Sequence, residues 1–302
     1  MILTLGDSVA WGQGLLDEHK FDRIYAAGRP LARIAHSGAI LGAAGDNSTQ
    51  HEYPEVPVAF PSVWQQMHSV SNWPDVDLVL INGGINDVSL TRILDPAIDP
   101  DVIAVLTQQY CGGAMTALLG ELCSHLVKPA ARAALVGYYP ILSSASDFEN
   151  ERQPRKLMEM HRVPSTPPSS AISVDIARLV PGMVSNCLAF WHSSTESLKG
   201  AVGAVNRDLG REVCVYVDTG FTEANALWGP DCLLWELSPQ LEAEDEADVK
   251  ELRRRACDAL YGDLVHLPEW GNWLLCCRAS VGHPNIRGAA RLASAIRQAV
   301  SI

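Results

Sequence analysis

The sequence has no HExxH and no CxxC, so it signals no metal site. It also lacks a dinucleotide fingerprint: Gly12-Gln13-Gly14 is followed by Leu15-Leu16-Asp17, and the third glycine is missing. No lysine follows a glycine-rich loop in the Walker manner, and no G-x-S-x-G elbow is formed, because the second position after Ser8 is Ala10. No cofactor is therefore expected. Basic residues are few, 23 against 35 acidic ones for a net charge of −12, which argues against a nucleic-acid or anionic-membrane partner. The longest basic run, Arg253-Arg254-Arg255, reads as the solvated face of a helix. No apolar run of about 18 residues is long enough to span a membrane. Asp7 breaks the first apolar segment before a signal-like core develops. The chain reads as cytoplasmic, although a trimmed secreted form or an excised domain fits the same residues. The eight cysteines are scattered through apolar segments and read as buried free thiols, with disulfides left open.

What is present is an ordinary globular composition, 302 residues of which 47% are hydrophobic, enough for one large α/β domain spanning 1–302. Apolar strands are expected at Met1 to Leu5, Leu31 to Ala35, Val76 to Asn82, Ala133 to Tyr139 and Val213 to Val217. Helical spacing is expected at 14–18, 61–70, 101–127 and 285–300, with a helix-compatible stretch running through Leu209. Strands alternating with helices imply a parallel sheet covered on both faces. Two segments exceed what such a core needs, 141–210 and 218–280. Both lead into the carboxyl-end face of the sheet, where long insertions commonly form lids or substrate walls. Within the first, 143–170 has the Ser, Pro and charge content of a mobile loop.

Short motifs punctuate these elements. Gly6-Asp7-Ser8 follows the first strand, His36-Ser37-Gly38 the second, and Gly83-Gly84-Ile85-Asn86-Asp87 the third, while His283-Pro284-Asn285 opens the last helix. A serine at the carboxyl end of a strand sits where α/β proteins bind ligands. Its hydroxyl is a weak nucleophile until a base removes the proton, and histidine is the usual base near neutral pH.

Taken together, and in this order over positions 6 to about 288, the four motifs resemble the SGNH (GDSL-type) hydrolase superfamily. The resemblance implies a three-layer α/β/α, flavodoxin-like sandwich. It implies an esterase- or lipase-like enzyme working through an acyl-enzyme, on a small-molecule or lipid ester. Ser8 is then the nucleophile and His283 the general base, while Gly38 and Asn86 donate to the oxyanion. Trp11, three residues after Ser8, becomes a candidate wall of the substrate pocket, and His36 a weaker contact. Asp7 and Asp87 read as structural. His51, His161, His192 and His266 have no supporting motif and read as surface or satisfied histidines. The tryptophans of the second excursion favour an apolar acyl group over a sugar acetate.

One position departs from the family pattern. The aspartate expected three residues before the histidine is Ser280, which cannot supply a fixed negative charge to the imidazolium. Three arrangements remain. A main-chain carbonyl, such as that of Ser280, orients the imidazole; or a carboxylate arrives from elsewhere, with Asp231, Asp263 and Glu269 nearest in sequence; or the site is silent. Acyl transfer to an alcohol other than water and a non-catalytic binding domain stand as the alternative functions.

Overall fold

The computed structural model describes residues 1–48, 53–150, 152–167, 174–262 and 270–300. Five strands, β1 (Ile2–Leu5), β2 (Leu31–Arg33), β3 (Leu78–Ile81), β4 (Arg132–Val136) and β5 (Cys214–Val217), form one sheet in the order β2-β1-β3-β4-β5. Every pairing is parallel. All four residues of β1 and all four of β3 are buried, as expected for near-continuous apolar strands covered on both faces.

The helices are α1 (Ser8–Trp11), α2 (Phe21–Ala26), α3 (Val63–His68), α4 (Ile85–Val88), α5 (Leu90–Ile93), α6 (Pro100–Thr107), α7 (Met115–His125), α8 (Arg152–Met160), α9 (Val174–Leu209), α10 (Ala247–Tyr261), α11 (Trp270–Cys277) and α12 (Ile286–Ala299). The chain steps one way from β1 to β2 and the opposite way from β2 to β5. Right-handed crossovers therefore place α2 on one face and α3, α7 and α9 on the other. Contacts agree: α12 packs on α2 and on β4 and β5, while α9 packs on α6, α7 and β5. The switch in direction falls between β1 and β3, where a doubly wound sheet opens a crevice at the strand carboxyl ends.

Several local expectations are corrected. The helix expected over 101–127 is α6 and α7 joined by a π-helical segment, Gln108–Ala114, that contains the weak helix formers Gly112 and Gly113. This continuous run, Pro100–His125, is long and apolar enough by length and composition to cross a membrane. Its Ile103, Cys111, Met115, Leu118 and Leu122 are nevertheless buried in the core. Helical character does not resume at Gly14 to Glu18. Left-handed Gly12 (φ 73°) ends α1, and only a 3-10 turn at Asp17–His19 precedes α2. The segment 143–170 is not simply a loop: α8 lies within it, with Leu157, Met158 and Met160 buried along one side.

The cysteines are not all free, since Cys257 and Cys276 are joined and tie α10 to α11. The basic triplet is not wholly solvated either: Arg254 and Arg255 face water, but the Arg253 side chain is fully buried.

Gln66 on α3 connects the helical layer to the end of β1. It is fully buried, accepts from the Gly6 N–H at 2.8 Å and returns a bond to the Gly6 carbonyl at 3.0 Å. Gln66→Leu leaves the Gly6 N–H unpaired in the interior and takes one of two donors from its carbonyl, which also accepts from the His36 N–H at 3.3 Å. It is expected to lower unfolding free energy by about 1–3 kcal/mol in urea titration. A loss within error of zero would mean that this turn is held by other contacts.

Candidate active site

The turn after β1 is built around Asp7. Its side chain caps α1 by accepting from the Val9 N–H at 2.9 Å, and it accepts the Tyr138 hydroxyl proton at 2.7 Å. Burial pushes the Asp7 carboxyl up, and the Tyr138 bond offsets part of that shift. The Tyr138 oxygen in turn accepts from the Ile85 N–H at 3.1 Å, so one phenol fastens the turn after β1 to α4 after β3. Asp7 is thus structural, as its sequence position suggested. Ser8 follows as the first residue of α1 and is 6% exposed.

His283 stands 275 residues away in sequence, and its Nε2 lies 2.7 Å from Ser8 Oγ. Its Nδ1 faces the Ser280 carbonyl at 3.2 Å. A carbonyl only accepts, so Nδ1 carries the proton and Nε2 is left to accept from the serine hydroxyl. Among the described residues no carboxylate bonds the imidazole. Asp231 instead borders a separate surface depression with Arg287 and Arg291. Asp263 and Glu269, like His51 and His266, lie outside the described residues. Among the described residues, the group that faces Nδ1 is the Ser280 carbonyl.

The loop carrying His283 is stitched to residues 233–235. The Trp235 N–H donates to the His283 carbonyl at 2.7 Å, and the Gly282 N–H donates to the Trp235 carbonyl at 3.0 Å. Asn285 caps α12 through the Gly288 N–H and donates to the Leu234 carbonyl at 3.1 Å. Burial is the main cause of a His283 pKa lowered to about 4; the Ser280 carbonyl opposes the shift and the Arg253 charge adds to it.

Gly38 and Asn86 line one cavity of about 320 Å³ together with Ser8 and His283. Gly38 has φ +79°, and a Cβ there would stand 2.6 Å from the Val58 nitrogen, so only glycine fits the loop. Asn86 donates to the Ala39 carbonyl at 2.9 Å, while Asp87 accepts from the Leu41 N–H at 3.0 Å. Neighbouring residues of the third motif thus clamp the Gly38 loop from the end of β3. Burial pushes the Asp87 carboxyl up to about 6, against the Leu41 bond. Among the described residues, neither the Ser8 nor the Gly38 N–H donates to a protein acceptor.

Two expected contacts are not brought to this cavity. Trp11 points into the protein on the other side of α1. Its Nε1 donates to Glu55 at 2.7 Å, and the Lys20 ammonium sits 3.3 Å from its ring centroid. His36 is buried, with its ring nitrogens 2.9 Å from the Ser37 carbonyl and 2.7 Å from the Pro61 carbonyl, and it serves the loop rather than a ligand. His161, which sequence reasoning set aside, does line the cavity, as do Tyr138 and Thr91. For His161 the sequence carried no signal: it belongs to no motif, and α8 brings it to the cavity beside Leu157.

A buried ionic cluster underlies the His283 loop. Arg253 bonds Glu55 at 3.1 Å, Asp245 at 2.5 Å, the Cys277 carbonyl at 3.2 Å and Ser280 Oγ at 3.4 Å. Glu55 also accepts from Gln13 Nε2 at 2.8 Å and from the Gly14 N–H at 3.2 Å. Burial pushes the Glu55 carboxyl up, opposed chiefly by Arg253. Burial also lowers Lys20 to about 7, against the pull of Glu55. The cluster thus joins the α1 turn to the loop before His283.

Comparison with protein-family models, curated proteins and solved structures finds no match for this chain.

Removing Arg253 leaves two buried carboxylates without their cation. Arg253→Met is expected to cost about 3–5 kcal/mol of stability in chemical denaturation, the range seen when one member of a buried ion pair is lost. A change below about 1 kcal/mol would show that the cluster does not hold the loop.

Proposed function

We propose that this chain is a serine ester hydrolase of the SGNH (GDSL-type) superfamily, acting through a Ser8-His283 dyad and an acyl-enzyme intermediate. The observation that carries the reading is the 2.7 Å contact between His283 Nε2 and Ser8 Oγ, set in a cavity that also presents Gly38 and Asn86. His283 takes the Ser8 proton as Oγ bonds the ester carbonyl carbon. The carbonyl oxygen becomes the oxyanion. The Ser8 and Gly38 N–H groups and the Asn86 amide are its donors, and such preorganised dipoles are usually the largest contribution to acyl-transfer catalysis. The imidazolium then protonates the leaving alcohol oxygen as the C–O bond breaks. Water, deprotonated by His283, releases the acid and restores Ser8. The Ser280 carbonyl holds the imidazole in the required tautomer but supplies only a dipole where a triad supplies a charge.

The cavity walls support an apolar acyl group. Ile40, Val58, Leu90, Ile141, Leu157 and Leu275 contribute to them. Leu157 comes from the first excursion and Leu275 from the second, and α8 and α11 pack on each other beside the site.

Fluorophosphonate treatment is expected to add mass to the peptide containing Ser8 and to leave Ser8→Ala untouched. Asn86→Ala is expected to acylate about a hundredfold more slowly, in line with loss of an oxyanion donor. Labelling of a different serine, or none in folded protein, would overturn the proposal in favour of a silent binding domain.

The pH profile gives an independent check. The base must be neutral, and burial lowers the pKa of His283, so its neutral form persists to lower pH than that of a free histidine. The acid limb of kcat/KM is expected clearly below the ordinary value of about 6.5. An acid limb at or above that value would show that His283 is not the group being titrated.

A further inference from the structure

The three proposed oxyanion donors fall into two groups. Asn86 and the Gly38 loop form one, because Asn86 donates to the Ala39 carbonyl at 2.9 Å and Asp87 accepts from the Leu41 N–H at 3.0 Å. Ser8 belongs to the other, the turn after β1, where the Asp7 side chain accepts from the Val9 N–H at 2.9 Å and so brackets Ser8 on both sides. An oxyanion hole works only if donors of both groups lie about 2.7–3.1 Å from one point. The separation of the two groups must therefore be fixed.

The strands alone do not fix it. β1 and β3 end side by side, and the Asp7 N–H donates to Asn82 Oδ1 at 3.3 Å. Between Asn82 and α4, however, lie Gly83 and Gly84, and Gly84 has φ +119°. Glycine is the residue least restricted in backbone conformation, so a tie at Asn82 does not decide where α4 begins.

Tyr138 supplies the tie beyond those glycines. Its oxygen accepts from the Ile85 N–H at 3.1 Å, one residue before Asn86. Its hydroxyl donates to Asp7 Oδ2 at 2.7 Å, one residue before Ser8. The amide can only donate, so the phenol oxygen accepts there and its single proton is left for the carboxylate. Burial raises the Tyr138 pKa well above its ordinary value, so that proton stays in place. The residue is 2% exposed, and its ring packs on Phe190 with centroids 5.2 Å apart. Among the described residues, no other side chain bonds both the turn after β1 and α4.

We infer that Tyr138 is a positioning residue for the reaction: its hydroxyl acts through Asp7 and Ile85 to hold the Ser8 N–H and the Asn86 side-chain amide at the separation that the oxyanion needs. This rests on the proposed hydrolase reading of Ser8 and His283. Tyr138 exchanges no proton with substrate.

Tyr138→Phe removes the hydroxyl and keeps the ring. With p-nitrophenyl butyrate, kcat is expected to fall about tenfold to a hundredfold, the scale of a group misplaced by about 1 Å, while KM stays within about twofold. A hydroxyl that served stability alone would reduce the amount of folded enzyme and not its turnover. Turnover is therefore counted per Ser8 labelled by fluorophosphonate, in sucrose, which favours the folded state. In an Asn86→Ala background the same change is expected to cost less than about threefold, because the separation no longer matters once one donor is gone. A Tyr138→Phe kcat within about threefold of wild type, with wild-type Ser8 labelled, overturns the role of Tyr138 and leaves the hydrolase reading standing. Losses that simply multiply in the double variant do the same. No labelling of the wild type removes both. A crystal structure of the wild type with a boronic acid on Ser8 gives a measurement independent of how the variants fold. The Ser8 N–H and the Asn86 amide are expected on one boronate oxygen, with both Tyr138 bonds intact. Either donor off that oxygen, or a broken Tyr138 bond, overturns the inference.

Discussion

Parallel pairing of β1 with β3 is the constraint on which the site depends. It aligns Leu5 with Ile81, so the two strands end side by side and their following turns share one crevice. Everything placed there uses that coincidence. Asp7, Tyr138 and the Ile85 N–H form a hydrogen-bonded chain across the strand ends. Asn86 and Asp87 reach over to fix the Gly38 loop, and Gln66 pins Gly6 from the helical layer. A slip of one residue between the two strands would turn every side chain to the other face and dismantle this set at once.

The strand ends supply Ser8, Gly38 and Asn86, but the histidine comes from a loop with little regular structure of its own. Its placement is achieved by main-chain bonds to residues 233–235 and by the buried Arg253 beneath it. Arg253 sits on α10, which Cys257 and Cys276 tie to α11, and α11 carries Leu275 into the cavity wall. The second excursion therefore builds one wall of the cavity and also supports His283. The first excursion adds Leu157 and His161.

Much of this was legible in the residues. The five strands were visible because parallel strands are apolar on both faces, and their order in the chain pointed to a doubly wound sheet. Ser8, His283, Gly38 and Asn86 were found because each belongs to a short motif beside a strand or helix end, and the structure gathers all four around one cavity. What the sequence hid depends on distance. Trp11 is near Ser8 in number but turns to Glu55 and Lys20, since a helix of one turn points neighbouring side chains in different directions. Arg253 looked like part of a charged surface because its carboxylate partners, Glu55 and Asp245, are not visible as a pattern. His161 carries no motif, and only the packing of α8 brings it to the cavity. The amphipathic character of α8 was masked by flanking proline and serine.

Ser280 has a consequence for how this site can change over generations. Its carbonyl faces His283, while its Oγ is turned away, toward the guanidinium of Arg253. An aspartate arising at this position would meet a cation already matched by Glu55 and Asp245 before it met the imidazole. A charged triad is therefore not one substitution away. A carboxylate at position 280 would be the third on one buried guanidinium, which Glu55 and Asp245 already share. The ion cluster acts as an evolutionary ratchet that keeps the imidazole on a backbone carbonyl.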